Sequence, residues 1–168
     1  DMNQKCNLKC PHCIIGHPRL TDKYYEGSEL AWDDYKKVID EGSSFGCPSV
    51  SVQGNNEPLL NKRLESYIQY AATRGFIDIM MNTNATALTE YRARKLLDSG
   101  LTRLRFSLDA ASPETYRITR VGGNYEKVVR NIERFLEIKD AGNYKLPITG
   151  VSFCKMSVNE GEVDDFFR

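Results

Sequence analysis

The chain has 168 residues, enough for one domain with a sizeable core, and its 40% hydrophobic and 27% charged residues are the balance of an ordinary folded protein. Lys plus Arg and Asp plus Glu number 23 each, so the formal net charge is zero and supplies no general pull toward nucleic acid or an anionic membrane. No apolar run reaches the length of a membrane span, and no signal peptide, lipidation motif, low-complexity tract or solenoid repeat is recognisable. The five cysteines are odd in number and three are clustered, which suits metal ligation in a reducing, cytoplasmic compartment better than a disulfide framework. The chain opens at Asp1 without an initiator Met and closes inside what reads as a young helix, as an excerpt of a longer protein would.

In chain order, periodicity predicts a helix over 28–43, capped by Ser28, with Leu30, Tyr35, Val38 and Ile39 as its apolar face and Gly42 and Gly46 at its end. A short strand over 48–53 ends at Gly54. A helix over 59–73 carries Leu60, Leu64, Ile68 and Ala71 in register and stops at Gly75. A buried strand over 76–81 follows, then a helix capped by Thr89 and running to Leu97. Residues 101–108 read as the next strand. Ser112 and Pro113 open a short helix, and 125–140 form a long amphipathic one with Val128, Ile132, Phe135 and Leu136 inward. Residues 148–156 read as a strand and 160–168 as a further helix.

Strands alternating with helices of this length give an α/β fold with a parallel sheet and crossover helices. Four strands follow the cysteines, and one more is expected before them, ending within residues 1–5. In parallel α/β barrels the chemistry sits on loops after the strands' C-terminal ends. The polar segments 54–58, 82–86, 107–110 and 156–159, and the cysteine loop, all fall at such ends.

Cys6, Cys10 and Cys13 stand in a C-x3-C-x2-C pattern. Three thiolates on a short loop can wrap one face of an iron–sulfur cube and leave one iron open for a small chelating molecule. With His17 the same cysteines also make the ligand set of a closed zinc site, and a plain electron-transfer cluster is a third reading, although such clusters ordinarily take four thiolates.

The cysteine pattern, with His12 before the third cysteine, resembles that of the radical S-adenosylmethionine (SAM) superfamily. Downstream, Gln53-Gly54-Asn55-Asn56-Glu57-Pro58 is similar to the family's Gly-Gly-Glu-Pro turn, with Asn56 in a glycine's usual place. Asn82-Thr83-Asn84-Ala85-Thr86 looks like its Thr-Asn-Gly loop. Phe106-Ser107-Leu108-Asp109-Ala110, followed by Arg120 and a Gly-rich break, looks like its Ser-x-Asp-Gly block.

The resemblance implies a partial parallel (β/α)6 TIM-like barrel over residues 1–168, as an incomplete core. The first strand, the last strand and helix, and any C-terminal auxiliary-cluster extension of the SPASM or twitch kind would lie outside it. It implies a [4Fe–4S] cluster on Cys6, Cys10 and Cys13, and S-adenosylmethionine as cofactor. SAM would be bounded by His12 at the adenine, the turn Gly54, Asn55, Asn56 and Glu57 at the ammonium group, Asn82, Asn84 and Ser107 from strand ends, Arg120 (or Arg117) at the carboxylate, and Met156 near the adenine. Cys154 is a candidate hydrogen-atom donor, and Cys47 reads as structural. The implied activity is reductive cleavage of SAM to a 5′-deoxyadenosyl radical that takes hydrogen from a peptide or sugar-like small-molecule substrate, with flavodoxin or ferredoxin as electron donor.

Overall fold

The computed structural model describes residues 5–15 and 29–168. The expected Ser28 cap, His17 and most of the strand before the cysteines lie outside these residues. Four strands form one sheet in the order β1-β2-β3-β4: β1 Ser49–Ser51, β2 Asp78–Thr83, β3 Arg103–Ser107 and β4 Ile148–Ser152. All three pairings are parallel. Each strand lies beside the one that precedes it in sequence, so the sheet has no switch point. That is the wall of a barrel rather than a doubly wound sheet.

The crossovers are helical. Helix α1 Trp32–Ser44 precedes β1, and α2 Leu64–Thr73 joins β1 to β2. Helix α3 Glu90–Leu97 joins β2 to β3, and α4 Pro113–Thr119 with α5 Tyr125–Ala141 joins β3 to β4. A short α6, Val163–Phe166, follows β4. The expected caps at Thr89 and Ser112 are made, accepting the Arg92 and Thr115 amides, and Asn124 caps α5 by accepting that of Lys127.

Strand alternation divides the sheet into two faces. Ile79, Met81, Leu104 and Phe106 are buried among helix residues such as Ile68, Leu96 and Phe135, and Phe106 meets Phe135 edge-on at 5.7 Å. Asn82, Arg105 and Ser107 alternate onto the opposite face, the one that a closed barrel makes its interior.

Several expected elements are corrected. Helix α1 starts at Trp32 behind an extended Ala31, and it buries Tyr35 and Ile39 while Val38 is exposed. Its stripe is thus the i, i+4 pair alone. On α5, Ile138 is buried in place of Leu136, one further turn-phase along. The expected helix over 59–73 is broken. Pro58–Leu60 form a single 3-10 turn capped by Glu57, and the chain extends at Asn61. The Asn61 side chain accepts the Arg63 amide before α2 begins. Strand β2 starts two residues late because the Ile77 and Asp78 amides bind the Pro48 carbonyl, and it runs on to Thr83. Strand β4 ends at Ser152, so Met156 belongs to the loop beyond it.

Candidate functional site

The cysteine loop is pinned from three sides. Leu8 is buried, and the Lys9 amide binds the Val121 carbonyl at 2.9 Å. The Asn7 side chain donates to Thr86 Oγ1 at 2.8 Å and accepts from Asn84 Nδ2 at 3.1 Å. The Glu57 amide binds the Lys5 carbonyl at 2.8 Å, which joins the loop's entry to the turn after β1.

One cavity receives the products of these contacts. It is lined by Cys6, Cys10 and Cys13, by Gly54, Asn56 and Glu57 after β1, by Asn82 and Asn84 at the end of β2, by Ser107 at the end of β3, and by Arg120 at the end of α4. Leu8, Ile15, Gln53 and Thr83 complete the wall. Ten of the residues singled out from the sequence thus meet in one place. Asn55, His12, Met156 and Cys154 do not line it. His12 turns its Nε2 toward Asp109 Oδ2, 3.4 Å away. The Met156 amide donates to Asn159 Oδ1 at 2.6 Å, and Cys154 is exposed. Arg117 is exposed as well.

Glu57 differs from its expected part. Its carboxylate, 2% exposed, accepts from the Leu59 amide at 3.1 Å, Thr83 Oγ1 at 2.5 Å and the Asn84 amide at 2.7 Å. It staples the turn after β1 to the end of β2. Its charge is therefore already hydrogen-bonded within the chain rather than left open for an ammonium group. Asn56 closes its own turn by accepting the Gly54 amide at 3.0 Å, so the substitution for glycine is met by a side-chain hydrogen bond. The glycine of the Thr-Asn-Gly pattern is replaced by Ala85, which takes the left-handed conformation at φ 56°.

Electrostatics fit a bound cationic cluster. Burial pushes the Cys6 and Cys10 thiols up, and Arg120 opposes this at Cys10, where its Nη1 lies 3.6 Å from the sulfur. Thiolates there need further positive charge, which a metal cluster supplies. Second contacts also reach the sulfurs: the Leu8 amide at 3.5 Å and Asn84 Nδ2 at 3.9 Å, both on Cys6. Among the described residues no three His, Cys, Asp or Glu side chains converge as the ligands of a single ion would; the three sulfurs stand around a cavity. Two buried polar atoms there, Arg120 Nε and Asn82 Oδ1, have no hydrogen-bond partner. A donor and an acceptor of this kind suit a ligand carrying both a carboxylate and amine or hydroxyl groups.

Sequence reasoning gave no part to Asp109, Asn159 or Glu162. Asp109 is 1% exposed, and its Oδ2 lies 2.6 Å from Arg120 Nη2. Glu162 accepts from the Ala111 amide at 2.7 Å and from the Ser112 and Thr115 hydroxyls, so it clasps α4 to the segment after β4. The only signal for Asp109 was its place in the Ser-x-Asp block.

A profile of the Radical SAM superfamily matches residues 2–151. The chain is 36% identical over 134 residues to a protein named probable GTP 3',8-cyclase from Methanococcus maripaludis, covering 80% of this chain and 43% of that one. It is 31% identical over 169 residues to the GTP 3',8-cyclase of Desulforamulus reducens, covering 99% of this chain and 49% of the relative. The chain therefore spans about half the length of these relatives. Among solved structures, BtrN in complex with AdoMet and 2-DOIA shares the fold, with a TM-score of 0.61 at 22% identity over 90% of this chain and 54% of that one. Motif order, sheet topology and profile agree: this chain belongs to the Radical SAM superfamily, which uses a [4Fe–4S] cluster and S-adenosylmethionine.

Proposed function

We propose that this chain is the core of a radical SAM enzyme in which Cys6, Cys10 and Cys13 hold the cluster and the residues around them hold SAM. The observation that carries this is the convergence of the cysteine loop, the turn after β1, the ends of β2 and β3, and Arg120 on one cavity. A cluster held by these cysteines would pass one electron to SAM bound beside it, which would supply reductive cleavage of the sulfonium and hydrogen-atom abstraction from a substrate. The protein's part is to bind, orient and shelter. Arg120 Nε, buried without a partner, is the group we assign to the SAM carboxylate, a task that suits a guanidinium. Asn82, Asn84 and Ser107 offer neutral hydrogen-bonding groups beside it. Residues 1–168 form the incomplete core, with any auxiliary-cluster domain outside them and a flavodoxin or ferredoxin as electron donor.

The sequence suggests a peptide or sugar-like molecule, whereas the relatives are named for GTP. One feature of the sheet supports an anionic substrate. Arg103 and Arg105 share the helix-free face with Ser107, and Arg105 is in register with Asn82 of the cavity. Arg103 is neutralised by Asp78, whereas Arg105 has no acidic partner among the described residues. We therefore put a nucleotide such as GTP ahead of a peptide or sugar, a preference that the zero net charge gave no reason to form.

Anaerobic reconstitution of the full-length protein with iron and sulfide, then incubation with SAM and dithionite, tests the reading. 5′-Deoxyadenosine and methionine should form and be lost in Cys10→Ala, and GTP should be consumed. A brown protein that never cleaves SAM would point to electron transfer. A colourless one with stoichiometric zinc would sink the proposal. SAM cleavage with untouched GTP would return the substrate question to peptides and sugars.

A further inference from the structure

Asp109 joins four parts of the molecule. It stands just past β3 at φ 59°, a left-handed conformation that Asp and Asn tolerate better than other non-glycine residues. Its Oδ1 accepts the Cys154 amide at 2.7 Å, beyond the end of β4. Its carbonyl accepts Asn159 Nδ2 at 3.0 Å. Its Oδ2 faces both Arg120 Nη2 at 2.6 Å and His12 Nε2 at 3.4 Å. His12 belongs to the cysteine loop, and Arg120 aims its other terminal nitrogen at Cys10. A carboxylate, a guanidinium and a ligand sulfur therefore lie in a row.

This row has an electrostatic consequence. A lone guanidinium beside Cys10 would present a full positive charge to the sulfur. With Asp109 on its far side it presents a pair of nearly zero net charge. Charges and hydrogen bonds around cluster sulfurs set the reduction potential, and the site is buried enough for such charges to act strongly.

We propose that Asp109 is a positioning residue that works through Arg120: it aims the guanidinium at Cys10, offsets its charge there, and so sets how readily a cluster on this loop accepts an electron. This rests on the reading of Cys6, Cys10 and Cys13 as cluster ligands.

Asp109→Asn in the full-length protein is the cleanest probe. Asparagine keeps the left-handed backbone and an acceptor for the Cys154 amide; it removes the charge and turns an N–H₂ toward Arg120 in place of Oδ2. In an EPR-monitored redox titration of the reconstituted protein, the midpoint should move positive with iron content unchanged. The expected size is about tenfold in the one-electron equilibrium constant, or about 59 mV. Arg120→Gln should move the midpoint negative, and the double variant should return toward wild type. An unshifted midpoint in Asp109→Asn at full iron content overturns the proposal. Should that variant lose its cluster, Arg120→Gln decides instead, and a wild-type midpoint there overturns it equally. A wild-type protein that takes up no cluster overturns the ligand reading beneath both.

Discussion

Glu57 and Asp109 are almost equally buried, at 2% and 1% exposed, yet their surroundings push them in opposite directions. Burial is the largest influence on both and favours the neutral acid. At Glu57 it prevails: the Thr83 hydroxyl and the Asn84 and Leu59 amides pull the other way, and the carboxyl still stands above the ordinary range. At Asp109 the His12 hydrogen bond, the Arg120 charge and the Cys154 amide outweigh burial and hold the carboxyl below it. At Glu57 these hydrogen bonds and a smaller pull from the Arg120 charge do not match what direct contact with His12 and Arg120 does at Asp109. One side of the cysteine loop is thus braced by hydrogen bonds and the other by an ion pair.

The largest effect should come from breaking the ion-pair side. Asp109→Ala leaves Arg120, whose side chain is 12% exposed, beside Cys10 with no counter-charge. Removing one partner of a buried pair costs about 3–5 kcal/mol, and the residual exposure of Arg120 puts the expected loss near about 3 kcal/mol. Urea unfolding at neutral pH would measure it as a lower midpoint at constant slope. A loss under about 1 kcal/mol, the value of a surface pair, would mean that solvent already screens Arg120.

On the other side, Glu57→Ala strands three donors at a buried position, 2% exposed. With about 1–3 kcal/mol for a buried group left unsatisfied, and some relaxation, the expected loss is about 2–3 kcal/mol in the same assay. Glu57→Gln should cost roughly half of that, because one oxygen still accepts while its new N–H₂ faces a donor. Equal losses for Ala and Gln would show that volume, not hydrogen bonding, matters there.

This contrast was only partly legible in the amino-acid sequence. The alternation of helix and strand, the cysteine spacing and the turn motifs are local patterns, and ten of the residues singled out through them and the family resemblance line one cavity. The Glu57 cap on Leu59 is local too, because the acceptor stands two residues before the donor. Its bonds to Thr83 and Asn84 are not local, since they depend on the pairing of β1 with β2. The Asp109 row draws on residues 12, 109, 120 and 154, which no spacing rule connects. Met156 is a candidate through the resemblance of its segment to the family's fifth strand, and it stands four residues beyond the end of β4. Val38 and Leu136 show the same limit on helices: hydrophobicity finds the face, but which edge of it is covered depends on the neighbouring element.

Stability against pH offers a finer separation of the two carboxylates. Glu57 has a folded-state value above its unfolded one, so its ionisation weakens the fold as pH rises from the unfolded carboxyl range through the raised value. Asp109 has a depressed folded-state value, so its contribution is full above the unfolded value and is lost as pH falls through the depressed one. Unfolding measured from about pH 3 to pH 7 should therefore show wild type losing ground to Glu57→Gln as pH rises, and gaining on Asp109→Asn over the same rise. Parallel curves for all three proteins would remove the distinction between the two sides.

The smallest expected effect lies at Ala85, next to the backbone amide that Glu57 holds. Ala85 is fully buried at φ 56°, and its carbonyl accepts Asn131 Nδ2 at 2.8 Å. The left-handed conformation costs an alanine about 1–2 kcal/mol, and glycine adopts it freely. Against that, Ala85→Gly gives up a buried methyl, about 0.8 kcal/mol, and gains freedom in the unfolded chain, roughly 0.4–1 kcal/mol. The terms nearly cancel, so the variant should lie within about 0.5 kcal/mol of wild type by urea unfolding. A loss above about 1.5 kcal/mol would show that the methyl is wedged into the loop that presents Asn84 to the cysteines. The hydrogen-bonded side of the site would then owe its rigidity to packing as much as to Glu57.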